Sequence, residues 1–137
     1  AGICDGMKIG DNAKSAMLAR GLAEISRLGV ALGAKLETFF GIAGIGDLAT
    51  TCFSPHGRNR TCGERLGKGE DITVIQETMG SVVEGVPTTK AVHQLASDHN
   101  INMPISETVY SILFGGLPIE EAIGLLMSRD LKAEQLS

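Results

Sequence analysis

The stretch that decides the fold runs from Asp11 to Leu32, DNAKSAMLARGLAEISRLGVAL. Leu18, Leu22, Ile25, Leu28 and Leu32 recur at spacings of 4, 3, 3 and 4 residues, the repeat of one helical face. Met17, Ala19, Ala23 and Ala31 widen that belt, so the pattern predicts a long helix that is central and largely buried. Asp11 or Asn12 is expected to cap its start, because a short side-chain oxygen accepts a hydrogen bond from a free amide of the first turn. Gly33 is expected to stop it.

Shorter helices are expected on its C-terminal side. Thr38 can cap a turn through Phe39 and Phe40, Gly46 to Cys52 reads as another, and Arg60 to Leu66 as a third ended by Gly67. Asp71 to Ile75 alternates Ile72 and Val74 with polar neighbours, which would suit a short strand; a lone strand has no pairing partner, so a helix is expected. Pro87, Pro104 and Pro118 each suit a first helical turn. The inward positions of those three helices are Val92, Leu95 and Ala96, then Ile105, Val109, Ile112 and Leu113, then Ile119, Ala122, Ile123, Leu126 and Met127. Glycine is frequent, 18 of 137 residues, and falls between the apolar segments, as tight turns between helices require. The expected fold class is all-α.

A chain of 137 residues is one domain's worth, and 43% hydrophobic residues predict a compact core. No stretch approaches the ~18 uncharged apolar residues of a membrane span. Twelve Lys and Arg against 16 Asp and Glu leave a net charge of −4, which argues against a nucleic-acid partner. Cys4, Cys52 and Cys62 are an odd, irregularly spaced set, so a reducing cytoplasm fits better than a disulfide framework. The N-terminus shows no signal-peptide pattern, and Ala1 suits either a removed methionine or a cut through a longer chain.

The most informative segment is Gly44 to Arg60, GIGDLATTCFSPHGRNR. Arg58, Arg60, Arg65 and Lys68 fall within 11 residues with Glu64 the only acid between them. In an acidic chain that asymmetry points to a small-anion site, since the planar guanidinium donates two parallel hydrogen bonds to phosphate. Asn59 adds a donor, and free amides at the start of a helix add more. The alternative is a solvated basic face with ion pairs such as Glu64 to Lys68. Asp47 sits between a glycine-rich apolar run and Leu48-Ala49, which predicts partial burial and a partner, either a lysine or, more commonly, a helix amide. Other patterns lead nowhere. Gly41, Gly44 and Gly46 have the wrong order for a dinucleotide fingerprint, and Gly63 to Gly69 falls one residue short of a phosphate loop. Cys52, His56 and Cys62 lack a fourth zinc ligand, so no metal site is expected. His93 and His99 read as helix-surface residues.

The segments AGICDG (residues 1–6), GDNAKSAMLARGLAEISRLGVALGA (10–34), GIAGIGDLATTCFSPHGRNR (41–60) and SVVEGVPTTKAV (81–92) strongly resemble the C-terminal domain of bacterial NAD(P)-dependent glycerol-3-phosphate dehydrogenase. The resemblance implies that residues 1–137 are an all-helical substrate-binding domain like that of 6-phosphogluconate dehydrogenase. It implies an enzyme that interconverts sn-glycerol 3-phosphate and dihydroxyacetone phosphate by hydride transfer with NAD or NADP, supplying glycerophospholipid synthesis. Asp47 matches a substrate-site aspartate that supports catalysis, and Thr51 a substrate-side threonine. Arg58 and Asn59 match the residues that hold the substrate phosphate. Arg58, Val82 and Glu84 match contacts to the cofactor. Gly57 stands where the family usually has Ser, so one hydroxyl donor is lost, worth roughly 1 kcal/mol. The general-base lysine of the family lies a few residues before AGICDG, upstream of Ala1, and Lys8 and Lys14 do not replace it. The cofactor-binding Rossmann domain is likewise expected upstream, as a partner of this chain, and the chain alone is expected to be inactive. Two rivals remain: a free-standing phosphometabolite-binding module using Arg58, Asn59 and Arg60, and a dimerisation module using the Asp11–Leu32 helix or the last helix.

Overall fold

The computed structural model describes residues 1–129, in which every regular element is a helix. The α-helices are α1 (Gly2–Gly6), α2 (Asp11–Ala31), α3 (Asp47–Phe53), α4 (Arg58–Gly67), α5 (Ile72–Thr78), α6 (Gly85–Asp98), α7 (Pro104–Phe114) and α8 (Ile119–Met127). A 3-10 turn (Leu36–Phe40) and a π-helical turn (Ile42–Gly46) join α2 to α3. The Asp71–Ile75 segment is helical, as expected. Asp71 caps α5 by accepting from the Thr73 amide at 2.8 Å. Pro104 opens α7 at its first turn.

Helix α2 starts and ends differently from one another in how well they follow the pattern. Gly33 stops it as expected: at φ +95 it turns the chain left-handed, and the amides of Gly33 and Ala34 reach back to the carbonyls of Val30 and Gly29. The start is a correction. Gly10, at φ +100, occupies the cap position without a side-chain bond, and Asp11 and Asn12 lie inside the helix. Thr38 likewise lies within its 3-10 turn and caps nothing; Lys35 precedes that turn. Helix α4 continues through Gly67, and Gly69, at φ +93, turns the chain.

The expected burial of α2 is a second correction. Its buried residues are Lys14, Glu24 and Ser26, while Ile25, Val30 and Leu32 are 41%, 46% and 51% exposed. Its polar side chains make tertiary hydrogen bonds. Lys14 binds Asp5, Arg20 donates to the Leu126 carbonyl, Glu24 accepts from α7, and Arg27 donates to the Asn102 carbonyl. Of the apolar face that periodicity identifies, Leu18, Leu22 and Leu28 are half-buried and Ile25 and Leu32 exposed. Leu95 and Met127, expected inward, are also exposed.

The core lies instead around α4. Cys62 and Leu66 meet Ile75 of α5 and Val83 and Val86 at the start of α6, with Ile3, Leu113 and Ile119 packed against them. Helices α1 and α4 touch backbone to backbone. A Cβ at Gly2 would overlap the Arg60 carbonyl, one at Gly6 the Glu64 carbonyl, and one at Gly67 would come within 2.5 Å of the Ile3 carbonyl. That contact brings Asp5 to Arg60.

Candidate functional site

Between Gly41 and Gly57 the chain forms a π-helical turn, then α3, then a four-residue link to α4. The π-helical turn runs directly into α3, whose first residue is Asp47. Asp47 is exposed and caps nothing, which corrects both the expected burial and the expected bond to a helix amide. Among the described residues its carboxylate has no partner. Thr51, one helical turn later, is also exposed. Gly57 then precedes α4 at φ −69 and ψ 127, a conformation open to any residue, and a Cβ there would meet nothing nearer than 3.7 Å. Glycine is therefore not required at this position by backbone or space.

The cluster of four cations divides. Arg60 donates from Nε to Asp5 Oδ2 at 2.9 Å and from Nη1 to Glu64 Oε2 at 3.1 Å. Arg65 forms a forked pair with Glu70, and Lys68 binds Glu64 at 2.6 Å. The ion-paired alternative thus holds for three of the four, and the broad anion face is corrected to a narrow one. Arg58 is exposed and has no carboxylate partner among the described residues. The first turn of α4 carries no side-chain cap, so the amides beside Arg58 and Asn59 remain available.

Asn59 joins this turn to the start of α6. Its Oδ1 accepts from the Gly85 amide at 2.9 Å. The bond sets Gly85, which follows Glu84 at the start of α6, against Asn59. Glu84 is exposed and Val82 is 67% exposed. Val82 also lines a shallow groove of about 530 Å³ with Gln76, Glu77, Ser81 and Pro87.

Several charged side chains that sequence reasoning missed hold this arrangement. Lys14 is 6% exposed, binds both oxygens of Asp5 at 2.9 and 3.0 Å, and lies 4.6 Å from the centre of the Phe53 ring. Partial burial pushes the Asp5 carboxyl up, but the bonds from Lys14 and Arg60 outweigh it and hold its pKa below the usual 3.8. Glu24 shows the reverse balance. Burial dominates over the bonds from Ile105, Ser106 and the nearby Arg27, and its pKa lies above 4.5. Their sequence signal was a charged residue inside an apolar helical belt, which demands a tertiary partner. The free thiols Cys52 and Cys62 are pushed up by burial and stay protonated, unsuited to nucleophilic work. Among the described residues no three His, Cys, Asp or Glu side chains gather as a metal site, and no helix is long and apolar enough to cross a membrane.

Residues 1–124 match the family described as NAD-dependent glycerol-3-phosphate dehydrogenase C-terminus. The chain is 54% identical over all 137 residues to a glycerol-3-phosphate dehydrogenase [NAD(P)+] of Listeria monocytogenes, covering 40% of that protein. It is 53% identical over 134 residues to the enzyme of the same name in Geobacillus thermodenitrificans, covering 39% of it. Among solved structures it resembles glycerol-3-phosphate dehydrogenase from Coxiella burnetii, with a TM-score of 0.91 and 43% identity over 93% of this chain and 39% of that one. The chain thus spans about two fifths of the length of these relatives.

Proposed function

The chain belongs to the family of NAD-dependent glycerol-3-phosphate dehydrogenase C-termini, and on that premise we propose that residues 1–137 form the substrate-binding helical domain of an enzyme interconverting sn-glycerol 3-phosphate and dihydroxyacetone phosphate. The observation that carries the reading is Arg58, the one member of the basic cluster left without a carboxylate among the described residues. It stands at an uncapped helix start beside the Asn59 amide. A phosphate monoester dianion accepts hydrogen bonds, and Arg58 supplies a guanidinium fork, the first turn of α4 its backbone amides and Asn59 an amide N–H₂.

Within this reading we propose the following division of labour. Arg58, Asn59 and the first-turn amides of α4 hold the phosphate, with Thr51 on the substrate side. Asp47, exposed and unpaired among the described residues, faces the substrate as a carboxylate available to a cation. That cation forms on the general-base lysine expected from the rest of the enzyme: its neutral amine takes the C2 hydroxyl proton of glycerol 3-phosphate as the C2 hydride leaves, and Asp47 stabilises the ammonium that results. NAD or NADP, bound mainly by that same part, supplies the hydride acceptor. The residues here fit a contact with it, since Val82 and Glu84 form an exposed edge and Arg58 keeps a free charge. The partners proposed are the two three-carbon phosphate substrates, the N-terminal cofactor-binding domain and a second copy of the chain. The exposed apolar side chains of α2 favour such contacts. Three free thiols support a cytoplasmic setting, and supply of glycerol 3-phosphate for glycerophospholipid synthesis is the role proposed.

Titration of the chain with glycerol 3-phosphate, followed by amide NMR, tests the site. Saturable shifts at residues 57–60, weakened at least about tenfold in Arg58→Ala, are expected. Equal affinity in that variant would overturn the proposal. The chain without its cofactor-binding part is expected to show no turnover of dihydroxyacetone phosphate with NADH or NADPH.

A further inference from the structure

Asn59 sits at the phosphate corner with a side chain that presents opposite polarity at its two ends. Its oxygen accepts and would repel an anion, while its N–H₂ group donates and would bind one. Which end faces the ligand decides whether the residue helps. The Gly85 amide settles this, because a backbone N–H can only donate. It holds Oδ1 at 2.9 Å, across 26 residues of sequence. A flipped amide would set the N–H₂ donors against the Gly85 N–H and leave both without an acceptor.

The absence of a side chain at residue 85 also leaves room for this orientation. A Cβ at residue 85 would stand 2.7 Å from Asn59 Oδ1, 2.9 Å from its Cγ and 3.3 Å from its Nδ2. The contact is with the whole Asn59 amide group, the end of an exposed side chain, so a Cβ at residue 85 would be accommodated by moving that amide away from the Gly85 N–H. The other early donors of α6 are accounted for locally: the Val86 amide donates to the Val83 carbonyl at 3.1 Å, and Pro87 has no N–H. The Gly85 amide therefore has Asn59 as its partner. Gly85 also follows Val82–Glu84 directly, so it links the cofactor-side edge to the phosphate-side amide through one hydrogen bond.

We infer that Gly85 is a positioning residue of the anion site: its amide orients Asn59 so that Nδ2 faces the phosphate, and its missing side chain leaves room for that orientation. This rests on the reading of Arg58 and Asn59 as the phosphate site. Affinity for glycerol 3-phosphate is measured by amide NMR on the 137-residue chain and on Gly85→Ala, Asn59→Ala and the double variant, with thermal unfolding alongside. Gly85→Ala is expected to weaken binding about tenfold with little change in Tm. In the Asn59→Ala background the same change is expected to cost nothing further, because no amide remains to be displaced. A residue that merely supported the helix would cost the same in both backgrounds, and that result would overturn the inference. Unchanged affinity in Gly85→Ala would also overturn it, while leaving the phosphate site standing. No saturable binding by the unsubstituted chain would instead remove the phosphate site, and this inference with it. Should Gly85→Ala fail to fold, Asn59→Asp keeps an oxygen for Gly85 and turns a second oxygen toward the anion. It is expected to lose at least about tenfold in affinity, and unchanged affinity there overturns the inference.

Discussion

Helices α6 and α7 both begin on a side chain sent from another helix, and the two caps are used differently. At α7, Glu24 accepts from the amides of Ile105 and Ser106 at 2.6 and 3.1 Å and from the Ser106 hydroxyl at 3.1 Å, and is 2% exposed. Both oxygens are engaged and no solvent reaches them. At α6, Asn59 spends one oxygen on Gly85, is exposed, and keeps two amide hydrogens unspent. The same division separates two arginines in one turn of α4, with Arg60 fully engaged by Asp5 and Glu64 and Arg58 engaged by nothing described. In these pairs the saturated groups tie helices together, and the proposed site draws on the unsaturated ones.

That contrast predicts a ranking of stability losses. Glu24→Ala leaves two buried amides and a hydroxyl without an acceptor and is expected to cost about 3 kcal/mol in urea unfolding. A loss no larger than that of an exposed cap would break the comparison. The same residue has a pH signature. Its folded pKa is raised, so its protonated form favours the fold; that contribution is full below the unfolded value near 4.5 and is lost as pH rises through the folded value. In Glu24→Gln the corresponding slope should vanish.

Asp5→Asn comes next, at about 2 kcal/mol, because it leaves the buried Lys14 ammonium with no carboxylate. The sign is opposite here. The folded pKa of Asp5 is lowered, so its contribution is present above the usual 3.8 and is lost as pH falls through the folded value. The acid limb of the stability curve should flatten in Asp5→Asn, and an unchanged limb would remove the Lys14–Asp5–Arg60 cluster from the account. Smallest are Asn59→Ala, at most about 1 kcal/mol, and Arg58→Ala, within about 0.5 kcal/mol, although both should lose anion affinity. A large stability loss in either would place it with the closed groups and erase the distinction.

The proposed site rests on sequence features where chemistry is local. Arg58 and Asn59 follow from an excess of cations at a helix start, and their match to a known family sharpened that to a phosphate. What sequence misjudged was charge balance. Glu64 was visible between the cations, but Asp5 lies 55 residues from Arg60, and only the close crossing of α1 on α4 joins them. Asp47 was misjudged for a similar reason: its apolar neighbours implied burial, whereas the π-helical turn delivers it to the surface.

By itself, the sequence determined the all-α class, nearly every helix, the glycine stop of α2 and the proline start of α7. Each depends on forces acting over one or two turns, within reach of neighbouring residues. The tertiary structure alone decided which face of α2 is covered, which three of four cations are neutralised and which end of the Asn59 amide is left free. Those outcomes depend on groups tens of residues apart being brought within hydrogen-bond distance, and periodicity along a chain carries no record of which surface will arrive to meet it.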